Sequence, residues 1–166
     1  MIKSFSHLRV ASEYSISHGL ITIDQIVDQA VKNNMPSVAL TDNLNMFGLV
    51  KFFIKAEKKG IKPISGSSIN VIFEDDDFAH ELLCLAKNNN GHKNLMKILS
   101  QSHNNIHFPS PIITFEELCL LKNDIKVISG GKSSHIFDLL KRGKVEDTKT
   151  KLETFQSAFG EDFVIE

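Results

Sequence analysis

Apolar positions along the chain follow two periods, one typical of buried strands and one typical of one-sided helices. Regular alternation of the two elements favours an α/β fold with a parallel sheet, either open or closed into a barrel. The predicted strands cover 5–10, 38–41, 62–65, 69–73, 81–86, 125–129 and 163–165. The predicted helices follow Thr22 and Gly91 or cover 46–59, 114–121, 134–142 and 145–159.

Two helix starts carry a capping box, in which a threonine and a glutamine or glutamate three residues later satisfy free amides of the first turn. They are Thr22 with Gln25 and Thr114 with Glu117. Helical spacing also predicts which side chains point inward. The predicted inward faces are Ile23, Ile26, Val27, Ala30 and Val31 in the first helix and Leu49, Val50, Phe53 and Ile54 in the second.

The strongest candidate for chemistry is Asp42, which directly follows the buried run 38–41. Ligands and metals in parallel α/β folds bind just beyond the carboxyl ends of the strands. His7 lies in a second segment of this kind. Right-handed crossovers would bring the four segments 7–12, 42–45, 66–68 and 130–133 to one face.

Composition narrows the function classes. The net charge of −1 and the pI of about 6.7 provide no basic surface for binding nucleic acid by charge alone. Cys84 and Cys119 both lie among leucines and are predicted to be small buried hydrophobic residues in a reducing compartment. No apolar run approaches the roughly 20 residues that cross a bilayer, so we expect no membrane partner and a cytoplasmic location.

The loop segments resemble the N-terminal PHP (polymerase and histidinol phosphatase) domain of the bacterial DNA polymerase III alpha subunit. The resemblance runs from the first residues to the last. It implies a single PHP domain over 1–166, with the fold of a distorted (β/α) barrel. We expect an incomplete barrel, because the chain ends at a strand, and a parent chain that continues. The matching segments are 7–15, 35–42, 45–48 and 61–66, with weaker matches at 85–88, 91–95 and 128–131.

Active members of this family bind up to three metals at the strand ends and hydrolyse phosphate esters. The resemblance places the family's ligand motifs on residues that have mostly lost ligand chemistry. The family's His-x-His-x-His motif corresponds to His7, Arg9 and Ala11. The aspartate and histidine of its Thr-Asp-His motif correspond to Asp42 and Asn43. The glutamate of Gly-x-Glu corresponds to Ser68, and a cysteine after Ser-Gly corresponds to Gly131. Only His7 and Asp42 keep a ligand side chain. We therefore expect no catalytic residue and no metal in this fragment, because a catalytic zinc has three protein ligands.

Arg9 suggests what replaces the metal. A guanidinium is permanently cationic, so Arg9 is predicted to pair with Asp42 and to take over part of the metal's structural role. The alternative is that Arg9 is simply a polar residue tolerated at a strand end.

The resemblance is to the gammaproteobacterial type, which implies a function. In that type a separate epsilon subunit proofreads, and the PHP domain is a platform that binds it. The implied partners are this exonuclease subunit, the rest of the alpha chain, and DNA through the parent chain, whose polymerase uses Mg. The alternatives are an active phosphoesterase or 3′–5′ exonuclease with Zn or Mn in the PHP site, and a free-standing decayed gene product.

The remaining polar residues are predicted to have no chemical role. His80, His92 and His135 are expected to be solvated or to cap helices. His103 and His107 are expected at the surface, and the acidic run 74–77 in a solvated hairpin turn. The glycine- and serine-rich run 130–134 lacks the spacing of a phosphate-binding loop.

Overall fold

The computed structural model describes residues 5–16, 18–74, 76–105 and 110–166. These form two compact units, Met1–Ser67 and Ser68–Glu166. Helices and strands alternate in both units, which confirms the predicted α/β class. The prediction of a single domain over 1–166 stays a prediction. Within the described ranges, no helix combines the length and the apolar character that crossing a membrane requires.

The first unit places two helices beside a pair of parallel strands. The strands Ser37–Leu40 (β1) and Lys62–Ile72 (β2) pair from Ser37 with Lys62 to Leu40 with Ser65. Apolar side chains of both helices and of β1 form the core of this unit. In chain order the elements are α1 (Ile23–Lys32), β1 (Ser37–Leu40), α2 (Leu49–Lys58) and the first part of β2 (Lys62–Ile72).

Helix α1 begins as predicted. The Thr22 side chain accepts from the Gln25 amide, and the Gln25 side chain accepts from the Thr22 amide. Most of the predicted inward face is buried, but Val31 is exposed, because it lies at the margin of the apolar stripe. The first capping box is therefore confirmed.

Helix α2 corrects the prediction in two ways. It begins at Leu49 instead of residue 46, and the residues it buries are Leu49, Phe52 and Ala56. Val50 and Ile54, predicted to point inward, are exposed. Burying Phe52 removes a large apolar side chain from water, and the small Ala56 beside it allows close packing. With this face buried, Val50 and Ile54 point toward solvent.

The stretch before α1 was predicted to be a strand over 5–10, and this is wrong. The stretch bonds to β1, since the Ala39 amide donates to His7 O at 2.9 Å and the Thr41 amide donates to Val10 O at 2.9 Å. The two bonds thus span three residues, 39–41, on one side and four residues, 7–10, on the other, and this mismatch interrupts a regular ladder as a bulge does.

Strand β2 corrects a second prediction. Residues 66–68 were expected to form a loop at a strand end, but they lie inside a continuous strand from Lys62 to Ile72. Ser67 and Ser68 are buried within it. A glycine and two small serines interrupt the apolar pattern without interrupting the backbone, so the sequence resembled a loop.

The second unit contains the last part of β2 and the remaining elements. These are β3 (His80–Ala86), α3 (Asn89–Asn104), β4 (Ile113–Thr114), α4 (Phe115–Leu120), β5 (Ile125–Ile128), α5 (His135–Lys141), α6 (Val145–Phe159) and β6 (Phe163–Val164). Short 3₁₀ turns cover Gly131–Ser133 and Gly160–Asp162. The second capping box, at Thr114 and Glu117, is confirmed at the start of α4.

The strands of this unit are not all parallel, so that expectation is wrong. β5 is parallel to β6 and the end of β2 is parallel to β4, but β3 is antiparallel to β5. β2 and β3 are neighbours joined by residues 73–79. That connection is shorter than the about a dozen residues that a parallel crossover needs, so β3 reverses direction.

Aromatic rings fill the core of the second unit. Phe155 lies 4.7 Å from Phe163 and 5.6 Å from Phe73, between ring centroids, and Phe73 stacks on Phe115 at 4.7 Å. Rings at these separations contribute more than their buried area alone. This cluster joins α4, α6 and β6 to the residue that follows β2.

Gly130 is the backbone position on which β3 and the turn after β5 depend. Its φ is +86°, and an added Cβ would lie 1.9 Å from Glu81 O. We expect Gly130→Ala to lower the free energy of unfolding by about 4 kcal/mol or more, because backbone must move. Gly143→Ala is the control, since φ is +71° there and the Cβ would meet open space. It should cost about 1 kcal/mol. Equal losses in urea unfolding would contradict this account.

Candidate functional site

The Asp42 carboxylate lies just beyond β1 and is 1% exposed. Its oxygens accept hydrogen bonds from the residues before α1. The Ser12 amide donates at 2.6 Å and the Ser15 hydroxyl at 2.6 Å, both to Oδ1. The Ser12 hydroxyl lies 2.9 Å from Oδ1 and 2.8 Å from Oδ2. The oxygens of this buried carboxyl group are thus paired with an amide and two hydroxyl groups.

The same serines tie the turn after β1 to the rest of the unit. The Ser15 hydroxyl accepts from the Asn43 amide at 2.9 Å, and the Ser67 hydroxyl donates to Asp42 O at 2.8 Å. Asp42 therefore connects the stretch 12–15, the end of β1 and the middle of β2. We call this group, Ser12, Ser15, Asp42, Asn43 and Ser67, the serine network.

The side chains of Asn45 and Tyr14 hold the turn after Asp42. Leu44 adopts a left-handed φ of 57°, which is uncommon for a residue with a branched side chain. The Asn45 amide group donates to Asn43 O at 2.9 Å and to Tyr14 O at 3.1 Å. The Tyr14 ring packs where a side chain at Gly48 would lie. These contacts fix the turn.

The other predicted positions in the first unit supply little ligand chemistry. His7 is exposed, and its ring makes an edge contact with Phe5 at 4.9 Å. Arg9 and Ala11 are half-buried. The pairing of Arg9 with Asp42 stays a prediction, whereas the hydrogen bonds described above show that serines contact this carboxylate.

Two predicted positions, Ser68 and Gly131, belong to the second unit. The Ser68 hydroxyl donates to Glu81 Oε1 at 3.0 Å. Strand β3 thus places a carboxylate beside Ser68, the position at which the family motif has a glutamate. Gly131 has a φ of 59° and begins a 3₁₀ turn. Glu81 was not singled out from the sequence, because its pairing with Ser68 depends on the register of two strands.

A second group of ligand-bearing side chains lies elsewhere in this unit. The ligand atoms of Asp76, His80 and His135 all lie within 4.8 Å of one another. His135 is buried at the start of α5, and its ring lies 4.3 Å from that of His80. The expectation that these two histidines are solvated or only cap helices is therefore wrong. We call these three residues the Asp–His cluster.

Burial determines the charge of these histidines. Desolvation, followed by the nearby Lys151 and His80, lowers the pKa of His135 to about 4. Desolvation also lowers the pKa of His80, against the opposing charge of Asp76. The contact between His135 and Asp76 is thus made by a neutral imidazole at neutral pH, so it is not an ion pair.

The cysteines have no reactive environment. Burial raises the pKa of the Cys84 thiol to about 12, which keeps it protonated, and Cys119 is half-buried with its pKa raised by the same cause. His103 is exposed and contacts Leu99 O through Nδ1 at 2.9 Å. His107 and Asp75, which belonged to two predicted polar groups, lie outside the described residues.

The serine network makes Asp42 a structural residue, and this can be tested. Asp42→Ala leaves an amide and two hydroxyl groups without an acceptor, so we expect a loss of about 3 kcal/mol in the free energy of unfolding. Asp42→Asn should cost about 1 kcal/mol, because hydroxyl groups can rotate to accept from the new amide. Urea unfolding measures both. Equal and negligible losses would show that the carboxylate is not a structural acceptor.

Comparison with known proteins agrees with this architecture. The family model for the PHP domain matches residues 7–166. DNA polymerase III subunit alpha of Borreliella burgdorferi is 35% identical over 171 residues, covering 98% of this chain and 15% of that protein. The Vibrio cholerae subunit is 35% identical over 164 residues, covering 98% and 14%.

The chain therefore spans only 14–15% of the length of these curated relatives. Among solved structures, an amidohydrolase from Chromobacterium violaceum aligns with a TM-score of 0.42 at 19% identity, covering 60% of this chain and 32% of that one. The family assignment rests on the match over 7–166. The chain belongs to the PHP domain family, and the relatives it matches over nearly its whole length are DNA polymerase III alpha subunits.

Proposed function

We propose that this chain is the PHP module of a replicative DNA polymerase III alpha subunit and that it serves as a binding platform rather than as a phosphoesterase. DNA synthesis, DNA binding and Mg would belong to the parent chain. The proposed partner of the platform is a proofreading exonuclease subunit, and the proposed location is the cytoplasm. Similarity to alpha subunits over 98% of the chain supports the assignment.

The serine network is the observation that best supports a PHP site without phosphoesterase activity. A catalytic metal needs carboxylate or imidazole lone pairs that are free to bind it. The Ser12 amide and the Ser12 and Ser15 hydroxyl groups donate to the Asp42 carboxylate and take three of its about four lone-pair positions. Arg9, Ala11 and Gly131 have no side chain that binds a metal. The residues present at the family's ligand positions therefore do not fit a cluster of metals.

A second observation supports a platform. Helix α2 and the turn before it expose a stripe of apolar side chains, Phe47, Val50 and Ile54, of which Val50 is 73% and Ile54 51% exposed. The stripe lines a shallow cavity of about 510 Å³ with Lys51, Lys55 and Lys58 at its edge. Exposed apolar surface rimmed by charge is typical of a protein–protein contact. We call it the α2 stripe.

The inactive reading predicts no phosphatase activity from this site. With p-nitrophenyl phosphate and either Zn²⁺ or Mn²⁺, we expect hydrolysis at the rate of the buffer alone. Asp42→Asn should behave identically. Metal-dependent hydrolysis that Asp42→Asn abolishes would overturn the inactive reading and favour the phosphoesterase.

The platform reading predicts a specific effect of charge on the α2 stripe. In the polymerase alpha chain, Val50→Glu with Ile54→Glu should weaken binding of the exonuclease subunit at least tenfold, because burying a carboxylate in an apolar contact is costly. The change should leave the unfolding transition nearly unchanged, since both side chains are exposed.

The matched control is Leu120→Glu, which places the same charge on another exposed leucine in the second unit. Surface plasmon resonance on the purified subunits measures both affinities. Wild-type affinity in the double variant, or equal weakening by Leu120→Glu, would exclude the α2 stripe as the contact.

A further inference from the structure

The Asp–His cluster contains two buried polar atoms that lack a hydrogen-bond partner among the described residues. Asp76 Oδ2 and His135 Nδ1 lie 2.8 Å apart. Their geometry does not make a hydrogen bond, and within the part of the chain that the structure describes neither atom has another hydrogen-bond partner. Buried polar atoms are nearly always satisfied, so an orphaned pair calls for an explanation such as a bound ion.

The cluster is also shielded from water. The side chains of His135, His80 and Asp76 are 7%, 14% and 19% exposed. The His80 Nε2 atom lies 3.6 Å from Asp76 Oδ2, so a third donor atom faces the orphaned pair. A cation between these ligand atoms would give Asp76 Oδ2 and His135 Nδ1 the partner that each lacks among the described residues.

We propose that Asp76, His80 and His135 bind a zinc ion. Two imidazoles and one carboxylate are an established set of protein ligands for zinc, and a water molecule completes a tetrahedral site. Zinc binds histidine in its neutral form, and the burial of both rings already favours that form. This inference is independent of the proposed function, because none of the three residues occupies a ligand position that the family resemblance assigns.

The two distances from Asp76 to the histidines need only a small adjustment. Zinc–ligand bonds of about 2.0–2.1 Å at tetrahedral angles separate neighbouring ligand atoms by about 3.3 Å. The 3.6 Å separation of His80 Nε2 from Asp76 Oδ2 already fits this value, and the 2.8 Å contact would open by about half an ångström. Asp76 lies in the connection between β2 and β3 rather than in a strand, so it can make this shift.

The surroundings provide an approach for a cation. A cavity of about 470 Å³ is lined by Asp76 together with Glu74 and Glu116. These carboxylates lower the electrostatic potential in front of the cluster. Lys151 opposes them, but its ammonium lies over the Phe73 ring, 3.7 Å from the centroid. A bound zinc would fasten Asp76 and the start of β3 to the start of α5.

Zinc binding is measured on the full-length protein, stripped with a chelator and titrated with Zn²⁺ against a chromogenic competitor. We expect a site of sub-micromolar affinity whose loading raises the melting temperature, because only the folded chain brings the three ligands together. His80→Gln and Asp76→Asn should each weaken this site about 100-fold or more and remove the thermal shift. Because each substitution keeps a polar side chain of similar size, these variants should fold.

Two control variants separate this site from other histidines. His103→Gln changes an exposed histidine of the same unit, and His7→Gln changes a position of the family's metal site. Both should bind Zn²⁺ as the wild type does. The proposal is overturned if no zinc binds at micromolar concentration, if His80→Gln and Asp76→Asn bind like the wild type, or if His7→Gln alone abolishes binding.

Discussion

The first unit depends on one constraint, a buried carboxyl group that needs hydrogen-bond donors. Moving an unpaired carboxylate out of water costs far more than a domain's whole stability, so donors must accompany it. Ser12 and Ser15 provide them through one amide and two hydroxyl groups. The chain follows an irregular path from His7 to Ser15, and this path brings both serines to Asp42.

The serine network also explains how Asp42 can be useful without a metal. A metal ion and a set of hydroxyl donors solve the same electrostatic problem, since each places positive charge against the carboxylate. Hydroxyl groups solve it from within the chain, and Ser15 additionally orients the Asn43 amide. An aspartate at a strand end is therefore evidence of a place where charge is compensated. It does not by itself identify what compensates it.

Prediction from sequence succeeded where the signal was local. The capping boxes at Thr22 and Thr114 and the position of Asp42 after β1 each depend on a few neighbouring residues. Prediction failed where the packing of distant segments determines which residues are buried and which are in contact. Whether α2 buries Phe52 or Ile54 depends on the surface it packs against, and His80 meets His135 only through the packing of β3 against the start of α5. No spacing in the sequence encodes such a meeting.

The two sites also show that a family motif and a pair of unpaired polar atoms can indicate different places in one fold. At Asp42 a family motif is present, but the chain's own donors occupy the oxygens. In the Asp–His cluster no motif is present, yet Asp76 Oδ2 and His135 Nδ1 face each other without a hydrogen bond. A metal binds to lone pairs, and what decides its location is which lone pairs the fold leaves unpaired. By that criterion, the cation site of this chain is the one that no family motif indicates.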